Sequence, residues 1–162
     1  MKIRPLAGHD AEQVKNISAT AFVHDRYTID PALPEDRVER AHRGWAGECC
    51  RFCDLVLVAE CDRMIVGFCA VSYPQASPVA ARQGIIQLIA VDRARHRRGI
   101  GAGLLGEAIG RLRGRADSAV IRTEASNAPA LGLYRALGFE PYARFGYARF
   151  NKPGLGFRVK KN

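Results

Sequence analysis

The chain has 162 residues, 48% of them hydrophobic, with 25 Lys+Arg against 16 Asp+Glu and a formal net charge of +9. That is ordinary single-domain composition; no apolar run approaches the roughly 20 residues that cross a bilayer, and MKIRPLAGHD lacks the apolar stretch of an export signal, so a cytoplasmic protein is expected. The positive charge predicts anionic partners, but aromatics are only 8% and do not interleave with basic runs, which disfavours nucleic acid as the main one.

Lys2–Pro5 reads as a short strand. Asp10 stands three residues before Gln13 in a capping-box pattern, and Val14, Ile17, Ala21 and Phe22 follow at helical spacing, predicting a helix over 10–22. Residues 24–36 carry two prolines and no periodicity, the mark of an ordered loop, and a second helix is expected over 35–49. The cysteines are Cys49, Cys50, Cys53, Cys61 and Cys69, an odd number in a chain without an export signal, which argues against a disulfide framework. Cys50 and Cys53 have CxxC spacing, yet no second CxxC follows, so free thiols and no metal are expected. Leu55–Cys61 and residues 64–73 read as two strands of a hairpin turning at Asp62-Arg63, followed by a loop over 74–83.

Residues 84–105, GIIQLIAVDRARHRRGIGAGLL, are the most informative stretch. A strand over 85–91 leads through a basic turn into a helix over 100–113. Backbone N–H groups and the positive end of a helix dipole converge in such a turn and make an anion site. Gly99, Gly101 and Gly103 would let a phosphate approach the backbone closely. Gly101, Gly103 and Gly106 also spell G-x-G-x-x-G, with Glu124 downstream where a ribose-binding acid would stand. Against that dinucleotide reading, residues 92–98 separate the strand from the first glycine, and the preceding hairpin does not suit a doubly wound sheet; it stays open as a disfavoured rival. Further on, a strand is expected over 119–124 and a helix over 127–137 with Asn127 as its cap, Pro129 in its first turn and Gly138 after its end. A last strand is expected over 139–150.

Two motifs therefore stand in order: HRRGIGAGLL at 96–105 and NAPALGLYRALGF at 127–139. Together they resemble the GCN5-related N-acetyltransferase family, with its signatures Q/R-x-x-G-x-G/A and N-x-x-A-x-x-L-Y-x-x-x-G-F. Gly99 and Gly101 fall on the glycine positions, while His96 stands where Gln or Arg is usual. Asn127, Ala130, Leu133, Tyr134, Gly138 and Phe139 fit the second pattern without gaps.

The resemblance implies one α+β domain over 1–162, with a mixed, mostly antiparallel sheet of six to seven strands and about four helices. The sheet would splay between its fourth and fifth strands. The resemblance also implies acetyl-CoA as co-substrate. Its pyrophosphate would meet His96, Arg97, Arg98, Gly99, Ile100, Gly101, Ala102 and Gly103. Its pantetheine arm would pair with Ile89, Ala90 and Val91, and Asn127 and Ala130 would meet it from the last helix. Tyr134 would supply the proton of the leaving thiolate, a phenol being protonated at neutral pH.

The segment from His24 onward resembles the branch that acetylates nucleotide-linked amino sugars, such as TDP-fucosamine acetyltransferase. Asp25-Arg26-Tyr27, Asp30-Pro31, Pro34 and Trp45 are its marks here. His24, Asp25, Arg26 and Tyr27 become candidate acceptor-binding residues, and His24, Asp25, Glu60 and Glu124 candidate general bases. The expected partners are acetyl-CoA and a small primary amine, with no membrane and with a homodimer left open. Two alternatives remain: a protein or peptide amine as acceptor, and a non-catalytic module that senses coenzyme A or holds nucleic acid.

Overall fold

The computed structural model describes residues 1–74 and 81–143. Its elements run β1 (Lys2–Pro5), α1 (Ala11–Ala21), α2 (Glu35–Phe52), β2 (Leu55–Cys61), β3 (Met64–Ser72), β4 (Gln83–Val91), α3 (Ile100–Leu112), β5 (Ser118–Ile121) and α4 (Ala128–Ala136). One sheet takes them in the order β1-β2-β3-β4-β5. The first four strands pair antiparallel, and β5 lies parallel to β4.

The strands alternate their side chains between two cores, as the period of a pleated strand requires. Leu57, Ala59, Cys69 and Val71 face α3, where Leu104, Leu105 and Ala108 are fully buried against them. Val58, Phe68 and Ala90 face the opposite side, with Val14 of α1 and Ala46 of α2. Asp62 and Arg63 both take positive φ, 52° and 62°, so the β2–β3 turn has the left-handed conformation that matches hairpin twist.

Two irregularities shape the functional end of the sheet. Val71 pairs with Ile86 but Ala70 with Leu88, so Gln87 is an extra residue and β4 bulges there. β5 pairs only with Gln83, Gly84, Ile85 and Ile86. Beyond the bulge, β4 runs on to Val91 with no neighbour on that edge among the described residues. The expected splay between the fourth and fifth strands is this opening.

The described residues hold five strands where six to seven were expected. Residues 139–143 carry no regular structure, and the rest of the strand expected over 139–150 lies outside the described residues, as does most of the loop expected over 74–83. The expected capping box at Asp10 does not form. Asp10 accepts from the Ala7 backbone N–H at 2.7 Å and from Arg4 at 2.6 and 3.1 Å, while Gln13 accepts from the Ile65 backbone N–H on β3. For each side chain a donor from outside α1 takes the place of the local cap. α2 continues to Phe52, which places Cys53 at its C-terminal cap.

Candidate active site

The turn between β4 and α3 is held open from within. Asp92 accepts from the Ala94 N–H at 3.0 Å, and the His96 Nε2 lies 3.0 Å from the Val91 carbonyl, fastening the basic loop to the end of β4. His96, which departs from the family signature, thus has a local structural partner. Arg97 and Gly99 take positive φ of 62° and 75°, and α3 begins at once with the Gly103 N–H on the Gly99 carbonyl at 2.9 Å. Among the described residues, none of the backbone N–H groups of 97–102 donates to a protein acceptor. These are the orphan donors of a helix start, backed by the exposed side chains of Arg97 and Arg98.

The three glycines do different work. Gly99 has open space where a Cβ would stand, and its left-handed φ is what demands glycine. A Cβ on Gly101 would lie 3.3 Å from Leu133 and 3.8 Å from Val91, so this residue lets α3, α4 and the end of β4 close together. A Cβ on Gly103 would lie 3.1 Å from Ile3, and its N–H belongs to the helix. The small size of Gly103 therefore serves packing against β1 rather than access for an anion.

Ile89, Ala90 and Val91 pair with Cys69, Phe68 and Gly67 on one edge of β4 and leave the other edge open. Ile89 and Val91 face the core that contains Tyr134. Tyr134 sits on α4, 8% exposed, with its ring 6.0 Å from that of Phe139. Burial, with a smaller push from Cys69, raises its phenol to about 12. Asn127 caps α4, its Oδ1 accepting from the Ala130 N–H at 3.3 Å and its Nδ2 donating to Thr123 at 3.0 Å. The cap reading is met, and both polar ends of Asn127 are already engaged.

The loop from His24 to Tyr27 is tied down at two points. The Asp25 Oδ2 stands 2.7 Å from the His42 Nε2, and Arg26 donates to Glu124 at 3.0 Å. The Arg26 guanidinium also lies over the Tyr27 ring at 4.8 Å, and Tyr27 meets Trp45 edge-on at 5.4 Å. Two of the candidate bases, Asp25 and Glu124, thus hold side-chain partners, and half-buried His24 adjoins Asp25 in sequence. Glu60 is set apart: it lies on β2 opposite Lys2 of β1, and Arg4 binds it at 2.7 Å. His42 was missed from the sequence, although it breaks the buried stripe Val38–His42–Ala46 at helical spacing, and a histidine there implies a buried partner. Among the described residues no group of three or more His, Cys, Asp or Glu could hold a metal ion.

Residues 13–139 match the acetyltransferase (GNAT) family model. The chain belongs to that family. Over 59 residues it is 44% identical to N-alpha-acetyltransferase 30 of Xenopus laevis, a match spanning 36% of this chain and 22% of that protein. The fold is shared with AAC(6')-Iy, solved with a coenzyme A-linked bisubstrate analogue, at TM-score 0.65 and 20% identity over 93% of this chain and 98% of that one. It is also shared with the ribosomal-protein-alanine N-acetyltransferase of Brucella melitensis biovar Abortus 2308, at TM-score 0.66 and 18% identity over 93% and 100% of the two chains.

Membership of the GNAT family makes this an N-acetyltransferase domain whose acyl donor is acetyl-CoA. The residues present fit that donor. A row of unpartnered N–H groups suits its diphosphate, and the open edge of β4 suits its amide-bearing arm.

Proposed function

We propose that the chain transfers the acetyl group of acetyl-CoA to the primary amine of a small molecule, directly and within a ternary complex. One observation carries this reading: the unpartnered N–H row of 97–102 adjoins the open end of β4, and Tyr134 shares the core beneath that end. On this reading the loop from His96 to Gly103 holds the diphosphate, and Ile89, Ala90 and Val91 orient the arm as an added strand. Asn127 fixes the start of α4, with Ala130 beside it, and so sets the position of Tyr134.

Tyr134 stays protonated throughout the neutral range, because its phenol lies near 12. It is then a weaker acid than a thiol of ordinary pKa near 8.5. Its role is therefore to donate a hydrogen bond to the developing thiolate. The proton that finally settles on sulfur is the one the attacking amine loses, which balances the reaction. A backbone N–H near Val91 polarises the thioester carbonyl. Asp25 and Glu124 are already paired, so a base among them acts only through a broken pair or an ordered water.

The acceptor we favour is a nucleotide-linked amino sugar, met by the loop from His24 to Tyr27 in the cytoplasm. Among the described residues no helix is long and apolar enough to cross a membrane. A peptide amine is the second reading, supported by the 44% identity with N-alpha-acetyltransferase 30 over 59 residues. Release of free thiol from acetyl-CoA, measured across amino sugars, nucleotide amino sugars, polyamines and peptides, separates the two. The favoured reading expects turnover with a nucleotide amino sugar. Turnover confined to peptides would replace it with the second, and no turnover with any amine would remove the enzymatic reading. Thermal protection by acetyl-CoA but not by NAD is the companion test for the donor.

A further inference from the structure

His42 interrupts the buried stripe of α2, where a hydrocarbon side chain would fill the space without desolvating a polar ring. Its setting is fixed from four directions. The Ser18 hydroxyl of α1 donates to its carbonyl at 2.8 Å, and its ring meets Phe22 edge-on at 5.2 Å and Trp45 at 5.4 Å. The fourth contact is Asp25: an ionised carboxylate only accepts, so the His42 Nε2–H donates to its Oδ2 at 2.7 Å. The Asp25 side chain is 14% exposed and that of His42 2%, so the pair runs from the core toward the loop surface. The other Asp25 oxygen accepts from the Tyr27 N–H at 3.4 Å, and the Ile29 N–H donates to the Asp25 carbonyl at 3.0 Å. One carboxylate thus bends the loop, and a core histidine holds that carboxylate.

We propose that His42 is a positioning residue for the acceptor: through Asp25 it fixes the course of residues 25–29, and with it the placing of Arg26 and Tyr27. This rests on the reading of that segment as the acceptor loop. Arg26 and Tyr27 belong to neither flanking helix, since α1 ends at Ala21 and α2 begins at Glu35. Side-chain ties must therefore place them. The Tyr27 ring meets Trp45, the Arg26 guanidinium lies over the Tyr27 ring, and Arg26 reaches Glu124. Trp45 touches both the His42 and Tyr27 rings, so the polar tie and the aromatic one share a support. The Arg26–Glu124 pair is partly exposed and holds weakly by itself, whereas the His42–Asp25 bond is shielded from competing water. α2 packs on the face of the sheet opposite the core that holds Tyr134. Loss of the His42 donor should therefore weaken acceptor binding without slowing the chemical step.

The test compares His42→Phe, which keeps an aromatic ring but no donor, with His42→Gln, whose amide N–H can replace the Nε2–H. Amide hydrogen exchange on the whole protein reads the loop. Thiol release from acetyl-CoA against a nucleotide amino sugar, or against a peptide should that be the substrate, reads the acceptor. In His42→Phe the Tyr27 and Ile29 amides should exchange about tenfold faster or more, while the Gly103 amide holds. The acceptor KM should rise about tenfold, with kcat and the KM for acetyl-CoA within about twofold of the parent. His42→Gln should recover most of both losses. Adding His42→Phe to Asp25→Ala should raise the acceptor KM by no more than about twofold further, because the partner is already gone. Unchanged exchange in His42→Phe would overturn the proposal whatever the acceptor. So would faster exchange with an unchanged acceptor KM, additive effects in the double variant, or equal losses in the Phe and Gln variants. Absence of thiol release with every amine in the parent protein is a different failure: it removes the proposed function and leaves the exchange result to judge the tether.

Discussion

Arg26 and Glu124, 98 residues apart in sequence, meet at 3.0 Å and join the loop after α1 to the segment between β5 and α4. Both are partly exposed, so the pair contributes about 0.2–1 kcal/mol, less at high salt. Its value on the proposed reading lies in holding the acceptor loop. Glu124→Gln should lower Tm by no more than about 4 °C. The acceptor KM should rise by up to about fivefold, while the KM for acetyl-CoA holds. A loss of kcat of about 100-fold or more, with the acidic limb of the pH profile altered, would instead make Glu124 the general base.

Gly99 and Gly103 stand four residues apart in one motif and should respond differently to the same change. Gly99→Ala puts a side chain on a residue with φ of +75°, a strain of roughly 1–2 kcal/mol at the turn that presents the N–H row. Acetyl-CoA affinity should fall about tenfold or more. Gly103→Ala adds a Cβ 3.1 Å from Ile3, which must give slightly, and gains up to about 1 kcal/mol in helix propensity. Its Tm should change little and its acetyl-CoA Kd should hold. Calorimetric titration of both variants checks the contrast, and equal losses would mean that both glycines admit the anion.

What the sequence revealed, and what it hid, divides by the range of the forces involved. β1 and β2 have the residues expected because strand alternation and the turn at Asp62-Arg63 are local signals. Asn127 is legible as a cap for the same reason: its acceptor serves an N–H three residues on. Asp10 and Gln13 fit a local pattern equally well, but Arg4 and the Ile65 N–H reach them from other elements. The Ile65 N–H lies 52 residues from Gln13, and Arg4, although six residues from Asp10, reaches it from another element, so the capping pattern reports neither. The pairing of His42 with Asp25 and of Arg26 with Glu124 likewise needs the loop to be folded over the sheet edge first. The open edge of β4 was expected from the family resemblance, whereas the bulge at Gln87 beside it went unread.

Asp10, 1% exposed, takes three hydrogen bonds, two from Arg4 and one from the Ala7 N–H. The Arg4 guanidinium, more than the Ala7 N–H, holds its carboxyl below the usual carboxylate range. A depressed carboxylate stabilises the fold above the unfolded value, near 4, and loses that contribution as pH falls through the folded one. Asp10→Asn should cost about 1–3 kcal/mol at pH 7. The difference from the parent protein should shrink steadily below about pH 4. Urea unfolding of the two proteins from pH 7 downward measures it, and a difference that stays constant into acid would show that the charge plays no part.

Tyr134 supports a paired prediction, because its hydroxyl is both the proposed donor and a titrating group in the core. With the phenol near 12 in the folded state and near 10 in the unfolded one, the folded state keeps the proton longer. Stability should therefore be unaffected below about pH 10 and fall by roughly 2–3 kcal/mol as pH rises toward 12. Tyr134→Phe cannot ionise and should lack that loss, so the two unfolding curves should diverge only in alkali. The same variant should lower kcat about 100-fold or more while leaving acetyl-CoA affinity in place. The two measurements read different things. An unchanged kcat with divergent alkaline curves would leave Tyr134 a buried core residue and move the thiolate partner to a backbone group. An unchanged kcat with coincident curves would mean that the hydroxyl ionises freely in water.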